Sequence, residues 1–218
     1  MNKTIQNDWN FYRTKFPKRY WQRSEFDDVI EKTIHEMVIN KNKEIKVLDV
    51  GGGIHGTESI YAAYPHAIDN GVVIKTDFLD PFIEEKPIWI DKRVAWSDNL
   101  KDSYDLIVCR GSINYLDNSQ IQTLVSNLKP NGVLISNTFL KEPSANWSQR
   151  EVTNWAGAQG VERARLKGNV IEHEIVFRDY RIVHQFNYYS KEDFIKLIPG
   201  VSFINYSKKS TYLFYRKR

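Results

Sequence analysis

Cysteine is all but missing from this chain of 218 residues, with Cys109 the single one. That excludes an intrachain disulfide and any zinc site built from several cysteines. Long apolar runs are missing as well, so no segment offers the roughly 20 residues a bilayer-spanning helix requires. The first residues have no apolar stretch of the kind a secretion signal needs, and a soluble cytoplasmic protein is the expectation. Excess charge of either sign is small: 31 Lys and Arg stand against 27 Asp and Glu, a net +4. Much of it sits at the two ends, which permits an anionic partner without demanding one. Aromatic residues, by contrast, are plentiful, with 6 Trp, 12 Tyr and 11 Phe. The length suits one full-sized domain with a proper core.

The most informative stretch is Lys46-Val47-Leu48-Asp49-Val50-Gly51-Gly52-Gly53-Ile54-His55-Gly56. Lys46 to Val50 is a short β-branched, apolar run that predicts a buried strand, with Asp49 near its carboxyl end. The glycines that follow permit dihedrals a Cβ forbids and let backbone N–H groups approach a ligand. In a doubly wound sheet, ligands bind outside the carboxyl ends of the strands. Gly51, Gly53 and Gly56 also satisfy the dinucleotide pattern, with Asp77 at the distance of a ribose-binding acid. Asp49 argues the other way. A carboxylate facing the glycine turn repels a pyrophosphate and suits a cationic ligand.

Around this stretch the chain reads as alternating elements. Residues 1–23 interleave aromatics and bases (Trp9, Phe11, Tyr12, Arg13 and onward to Trp21 and Arg23). Such a mixture could stack bases and neutralise phosphates, or lay its aromatics over the core. Ser24 with Asp27 forms a capping box before a helix whose stripe is Phe26, Ile30, Ile34, Met37 and Val38. Thr57 to Pro65 predicts a short helix, and Val72 to Asp77 the next strand, with Asp80 an alternative to Asp77 as the ribose acid. Ile88 to Asp91 predicts a third strand, Tyr104 to Cys109 a buried fourth, Ser119 to Leu128 a helix, and Val133 to Asn137 a fifth strand after a turn at 129–132. Cys109 fits a small buried hydrophobe.

Two motifs in this order resemble the class I S-adenosylmethionine-dependent methyltransferases: the acid and glycine turn of Asp49-Val50-Gly51-Gly52-Gly53, and the run Tyr104-Asp105 through Arg110-Gly111-Ser112. His55 stands where that family usually has its last glycine, and Asn114 and Tyr115 stand where many relatives carry paired histidines. The resemblance, of the small-molecule type, implies an α/β fold: a Rossmann-like doubly wound sheet, mostly parallel with an antiparallel C-terminal strand, in a three-layer sandwich. It implies S-adenosyl-L-methionine as cofactor, held by Asp49, Gly51, Gly52, Gly53, Asp77, Asp91, Arg110 and Gly111, with Asp98 and Asn99 as alternatives to Asp91 on the adenine. No metal is expected.

Residues 138–169 break the rhythm, with a helix predicted around Gln149 to Ala156. Val170 to Phe177 and Tyr180 to Tyr188 then predict a hairpin. Ser190 and Asp193 cap a helix, and Val201 to Tyr206 with Thr211 to Tyr215 predict a closing antiparallel hairpin. That ending disfavours a dinucleotide fold, which adds a second parallel half. The expected organisation is a single domain: an N-terminal segment and helix over 1–44, a cofactor-binding core over 45–137, a substrate-side insertion over 138–189, and a closing helix and hairpin over 190–218.

The expected activity is transfer of a methyl group to an oxygen or nitrogen of a small molecule, with His184, Tyr180 and Asn114 as catalytic candidates on the acceptor side. The rivals are an RNA or DNA methyltransferase, prompted by the basic aromatic N-terminus and the Arg216-Lys217-Arg218 tail, and a catalytically degenerate binding module. No membrane partner is expected.

Overall fold

In the computed structural model the described residues are 3–6, 15, 24–40, 43–52, 58–80, 90–96, 100, 103–138, 144–154, 156–207 and 210–218. The aromatic run of residues 7–23, Lys15 apart, lies outside them, as do Gly53, His55, Gly56, Asp98 and Asn99. Contacts divide the chain into two compact units, Ser24–Thr138 with Glu192–Arg218, and Met1–Arg23 with Phe139–Lys191. The helix at 25–40 belongs to the larger unit.

The larger unit is built on alternation. Its strands are β2 (Glu44–Val50), β3 (Val73–Leu79), β4 (Lys92–Arg93), β5 (Tyr104–Arg110), β6 (Leu128–Asn137), β11 (Ser202–Ser207) and β12 (Ser210–Arg216). They form one sheet in the order β11-β12-β6-β5-β2-β3-β4, parallel from β6 to β4 and antiparallel at β12 and β11. Helix α1 (Glu25–Asn40) starts at the expected capping box: Ser24 N donates to Asp27 Oδ2 at 2.8 Å, and Asp27 N to Ser24 Oγ at 3.4 Å. Its stripe Phe26, Ile30, Ile34 and Val38 packs on Ile45, Val47, Leu106, Val108, Val133 and Ile135. Burying each such side chain contributes about 1.5–3 kcal/mol.

Helices α2 (Glu58–Ala62) and α3 (Tyr64–Asp69) add Ile60, Ala63 and Ala67 to this cluster. Leu48, Ile107, Leu134 and Leu213, which alternate with the first set, are equally buried, so the sheet is covered on both faces. Helices α4 (Asn118–Ser126) and α5 (Lys191–Leu197) bury Ile121, Leu124 and Phe194.

The smaller unit is a five-stranded sheet of β1 (Lys3–Gln6), β7 (Ser148–Thr153), β8 (Gln159–Lys167), β9 (Val170–Val176) and β10 (Tyr180–Asn187), in the order β1-β10-β9-β8-β7. The hairpin β9–β10 is the one the alternation predicts.

Four local expectations are corrected. The helix around Gln149 to Ala156 is the edge strand β7, paired antiparallel with β8. Its segment has no apolar stripe at helical spacing, so the ladder with β8 decides its state. The helix over 57–65 is instead two helices, because Pro65 lacks an N–H and sits in the first turn of the second. Of the strand expected over 88–91, residues 88 and 89 lie outside the described residues, and Asp91 precedes the two-residue strand β4 rather than ending a strand. Finally, 129–132 is not a turn but part of β6, with Asn131 at φ +63°.

Candidate active site

The chain leaves β2 toward β3 on one side and β5 toward β6 on the other, so a crevice opens at their carboxyl ends. The glycine turn lies there. Gly51 adopts φ +70°, and its N–H donates to Leu79 O at 2.8 Å, tying the turn to the end of β3. A Cβ on Gly51 would lie 2.5 Å from Ser112 Cβ, and Ser112 Oγ donates to Val50 O. A Cβ on Gly52 would collide with the carboxyl group of Asp49, which is fully buried beneath the turn. Both glycines are therefore required by their neighbours as well as by backbone freedom.

The second wall is the end of β5. Gly111 has φ +67°, and its N–H donates to Asn137 Oδ1. Arg110 turns toward the start of α1, where its Nη2 donates to Ser24 Oγ at 3.2 Å and pairs with Asp27. Burial pushes the Asp27 carboxyl up. The backbone N–H of Ser24 and the Arg110 guanidinium outweigh that and hold it below its usual range. Asn114 lies in a 3₁₀ turn at Ile113–Tyr115 and is fully buried, with its Oδ1 accepting from Thr138 Oγ1 at 2.9 Å. Cys109 is buried, and desolvation pushes its thiol up, which suits packing rather than nucleophilic work.

The acids divide by position. Asp77 lies two residues short of the end of β3, where its carboxylate accepts from the Tyr104 hydroxyl at 2.9 Å and faces Lys46 Nζ at 3.6 Å. Asp80, by contrast, is the first residue beyond β3, at the carboxyl edge and 7% exposed. Asp91 accepts from the backbone N–H of Thr76 at 2.7 Å, so its carboxylate serves the middle of the sheet.

His184 and Tyr180 belong to the smaller unit, whereas Asn114 and the glycine turn belong to the larger. His184 is fully buried on β10, directly opposite His173 of β9. Burial first, and the neighbouring His173 second, push its imidazole down to about 3. At neutral pH such a ring holds no proton and is a weak base. The Tyr180 hydroxyl accepts from Asn154 Nδ2 at 3.1 Å, and burial pushes its phenol up. Beside them Glu162 is held by Arg150 Nε at 2.6 Å and lies 2.9 Å from His173 Nε2.

Among the described residues, no three His, Cys, Asp or Glu side chains converge as a metal site, and no helix is long and apolar enough to cross a membrane. Sequence reasoning missed the Arg110–Asp27 pair and the Glu162–His173 pair. Each joins residues far apart in the chain, and neither carries a local spacing signal.

The family described as a methyltransferase domain matches residues 20–197. No curated protein sequence is significantly similar to the chain. Among solved structures, it is similar to an S-adenosylmethionine-dependent methyltransferase from Clostridium acetobutylicum ATCC 824, with 14% identity over 96% of this chain and 97% of that one, at a TM-score of 0.58. It is also similar to the PH0226 protein from Pyrococcus horikoshii OT3, with 14% identity, 96% and 98% coverage and a TM-score of 0.56. At these identities the likeness is one of fold.

Proposed function

This chain belongs to the class I S-adenosylmethionine-dependent methyltransferase family, and we propose that it methylates an oxygen or nitrogen of a small-molecule acceptor. The observation that carries the site assignment is the cradle at Gly51 and Gly52, closed from below by the buried Asp49 carboxylate. An anionic floor under a turn with no side chains fits the cationic amino-acid end of S-adenosylmethionine and repels a diphosphate.

The cofactor supplies a methyl group already activated on a sulfonium sulfur. The remaining work is positioning, and it falls to the chain's own residues. Asp49 and the backbone of Gly51 and Gly52 hold the amino-acid end, and Arg110 and Gly111 line the opposite wall. Asp80 replaces Asp77 as the acid for the ribose hydroxyls, because the Asp77 carboxylate is committed to Tyr104 and Lys46. Asp91 drops out as the adenine acid, since it bonds Thr76. Asn114 supports the floor of the β5 wall through Thr138. Within the smaller unit, Tyr180 is a hydrogen-bonding hydroxyl held by Asn154, and His184 is set aside as a base because of its burial.

A thermal-shift comparison of S-adenosylmethionine, S-adenosylhomocysteine and NAD tests the cleft. The first two raise the melting temperature and NAD does not, and Asp49→Ala removes the shift. Protection by NAD alone would end this reading. A panel of hydroxyl and amine acceptors with radiolabelled S-adenosylmethionine then tests the acceptor class. Methyl transfer exclusively to carbon would count against it.

A further inference from the structure

Among the described residues the two sheets end on β4 and β11 in the larger unit and on β1 and β7 in the smaller. An edge strand directs every second N–H and C=O outward, a template for another strand, and charge is a common guard against such pairing. Three of these edges carry it. Lys92 and Arg93 make up β4, Lys3 opens β1, and Arg150 and Glu151 stand in β7. The edge at β11 reads Ser202-Phe203-Ile204-Asn205-Tyr206-Ser207, with no charged residue and no proline. The irregularity in its ladder with β12 falls beyond Asn205, so Ser202 to Asn205 pair regularly.

Successive side chains of β11 face opposite ways. Phe203 pairs with Leu213, and its ring lies 6.4 Å from that of Phe194 on α5. Ile204 pairs with Tyr212, which stacks on Phe26 of α1 at 5.1 Å. Helix α1 thus reaches β12, and Ile204, one strand further out, is 41% exposed. On the α5 face Ile195, next to Phe194, is 50% exposed. This edge therefore combines outward backbone groups, no charge and an exposed isoleucine on each face.

We propose that β11 is an interaction surface for a second copy of this chain, the two strands pairing antiparallel about a two-fold axis with Ile204 opposite Ile204 of the second copy. A two-fold axis normal to the sheet keeps like faces together, so only residues of the same face can stand opposite one another. Of the registers that remain, the one centred on Ile204 covers the exposed isoleucine of both copies. A charged edge would meet its own charge across such an axis, and β11 has none to repel its copy. The pairing satisfies the outward backbone groups and joins the two sheets into one. It leaves the crevice free, because β12 and β6 separate β11 from β5.

Sedimentation of the full chain across the micromolar range should show a mass that rises from one chain to two. Ile204→Lys sets like charges across the axis and should remain a monomer, with the melting temperature that the unaltered chain has at low concentration. Ile204→Cys tests the register. The native Cys109 is fully buried, and directly opposite residues have Cβ atoms about 4.5–5.5 Å apart, close to disulfide reach. Mild oxidation should link Ile204→Cys chains into covalent dimers at least about tenfold faster than Ile68→Cys chains, although Ile68 on α3 is the more exposed at 71%. A monomer at every concentration, a dimer that survives Ile204→Lys, or equal cross-linking at the two positions would overturn the proposal.

Discussion

The carboxylate of Asp49 fills the space that a side chain on Gly52 would need. The acid thus serves as the floor of the turn, and the glycine above it is dictated by the acid three residues earlier. Substituting Gly52→Ala forces the buried carboxylate or the turn to move, an overpacking cost of about 1–3 kcal/mol. The expected outcome is a lower melting temperature together with at least a tenfold loss of S-adenosylhomocysteine affinity. A Gly52→Ala protein that binds normally would show that Asp49 is not needed in its place.

Asp77 and Asp80 make opposite predictions. Asp77→Asn strips a charge from a buried pairing with Tyr104 and Lys46 and should cost about 1–3 kcal/mol of stability, with cofactor affinity nearly unchanged. Asp80→Asn, at the carboxyl edge of β3, should leave the melting temperature in place and weaken both S-adenosylhomocysteine and 5′-methylthioadenosine, since both carry the ribose. Denaturant melts and titration of the two variants decide it. The reverse pattern would return the ribose to Asp77.

His184 sets an acid limit on stability. Its imidazole is pushed from an ordinary 6.5 to about 3 in the fold by burial and by His173, so the native state favours the neutral ring. The stability this confers is complete above pH 6.5 and is lost as pH falls toward 3, at up to about 1.4 kcal/mol per pH unit. Successively across the sheet from it stand His173 on the adjacent strand β9, Glu162 on β8, which bonds His173, and Arg150 on β7, which holds Glu162. Urea unfolding at pH 7.5 and 4.5 should show a smaller difference for His184→Leu than for the unaltered chain. Identical differences would mean that other groups govern the acid limb.

Much of the larger unit was legible because its signals are local. Ser24 and Asp27 three apart announce a cap, Phe26 to Val38 repeat at helical spacing, and Lys46 to Gly52 spell a strand and a tight turn. A mostly parallel sheet with an antiparallel C-terminal hairpin followed from the alternation of strands and helices together with the resemblance to the family, whereas the strand order comes from the structure. Residues 148–153 misled because an edge strand with one buried side chain leaves little pattern to read, and its state is set by β8. Asp91 precedes the two-residue strand β4 and bonds the backbone of Thr76, a partner that no spacing in the sequence announces.

The order of residues by itself determined the glycine turn, the acid beneath it, the helix cap and the doubly wound sheet, since each is written in spacings of two, three or four along the chain. Only the tertiary structure decided how the charged groups are spent. Asp77 goes to Tyr104, Asp91 to Thr76, Arg110 to Asp27 across 83 positions, and Glu162 to His173. A carboxylate is the same letter in every one of these places. What it does depends on which cation or donor the fold brings within about 3 Å, and that is a property of packing rather than of sequence.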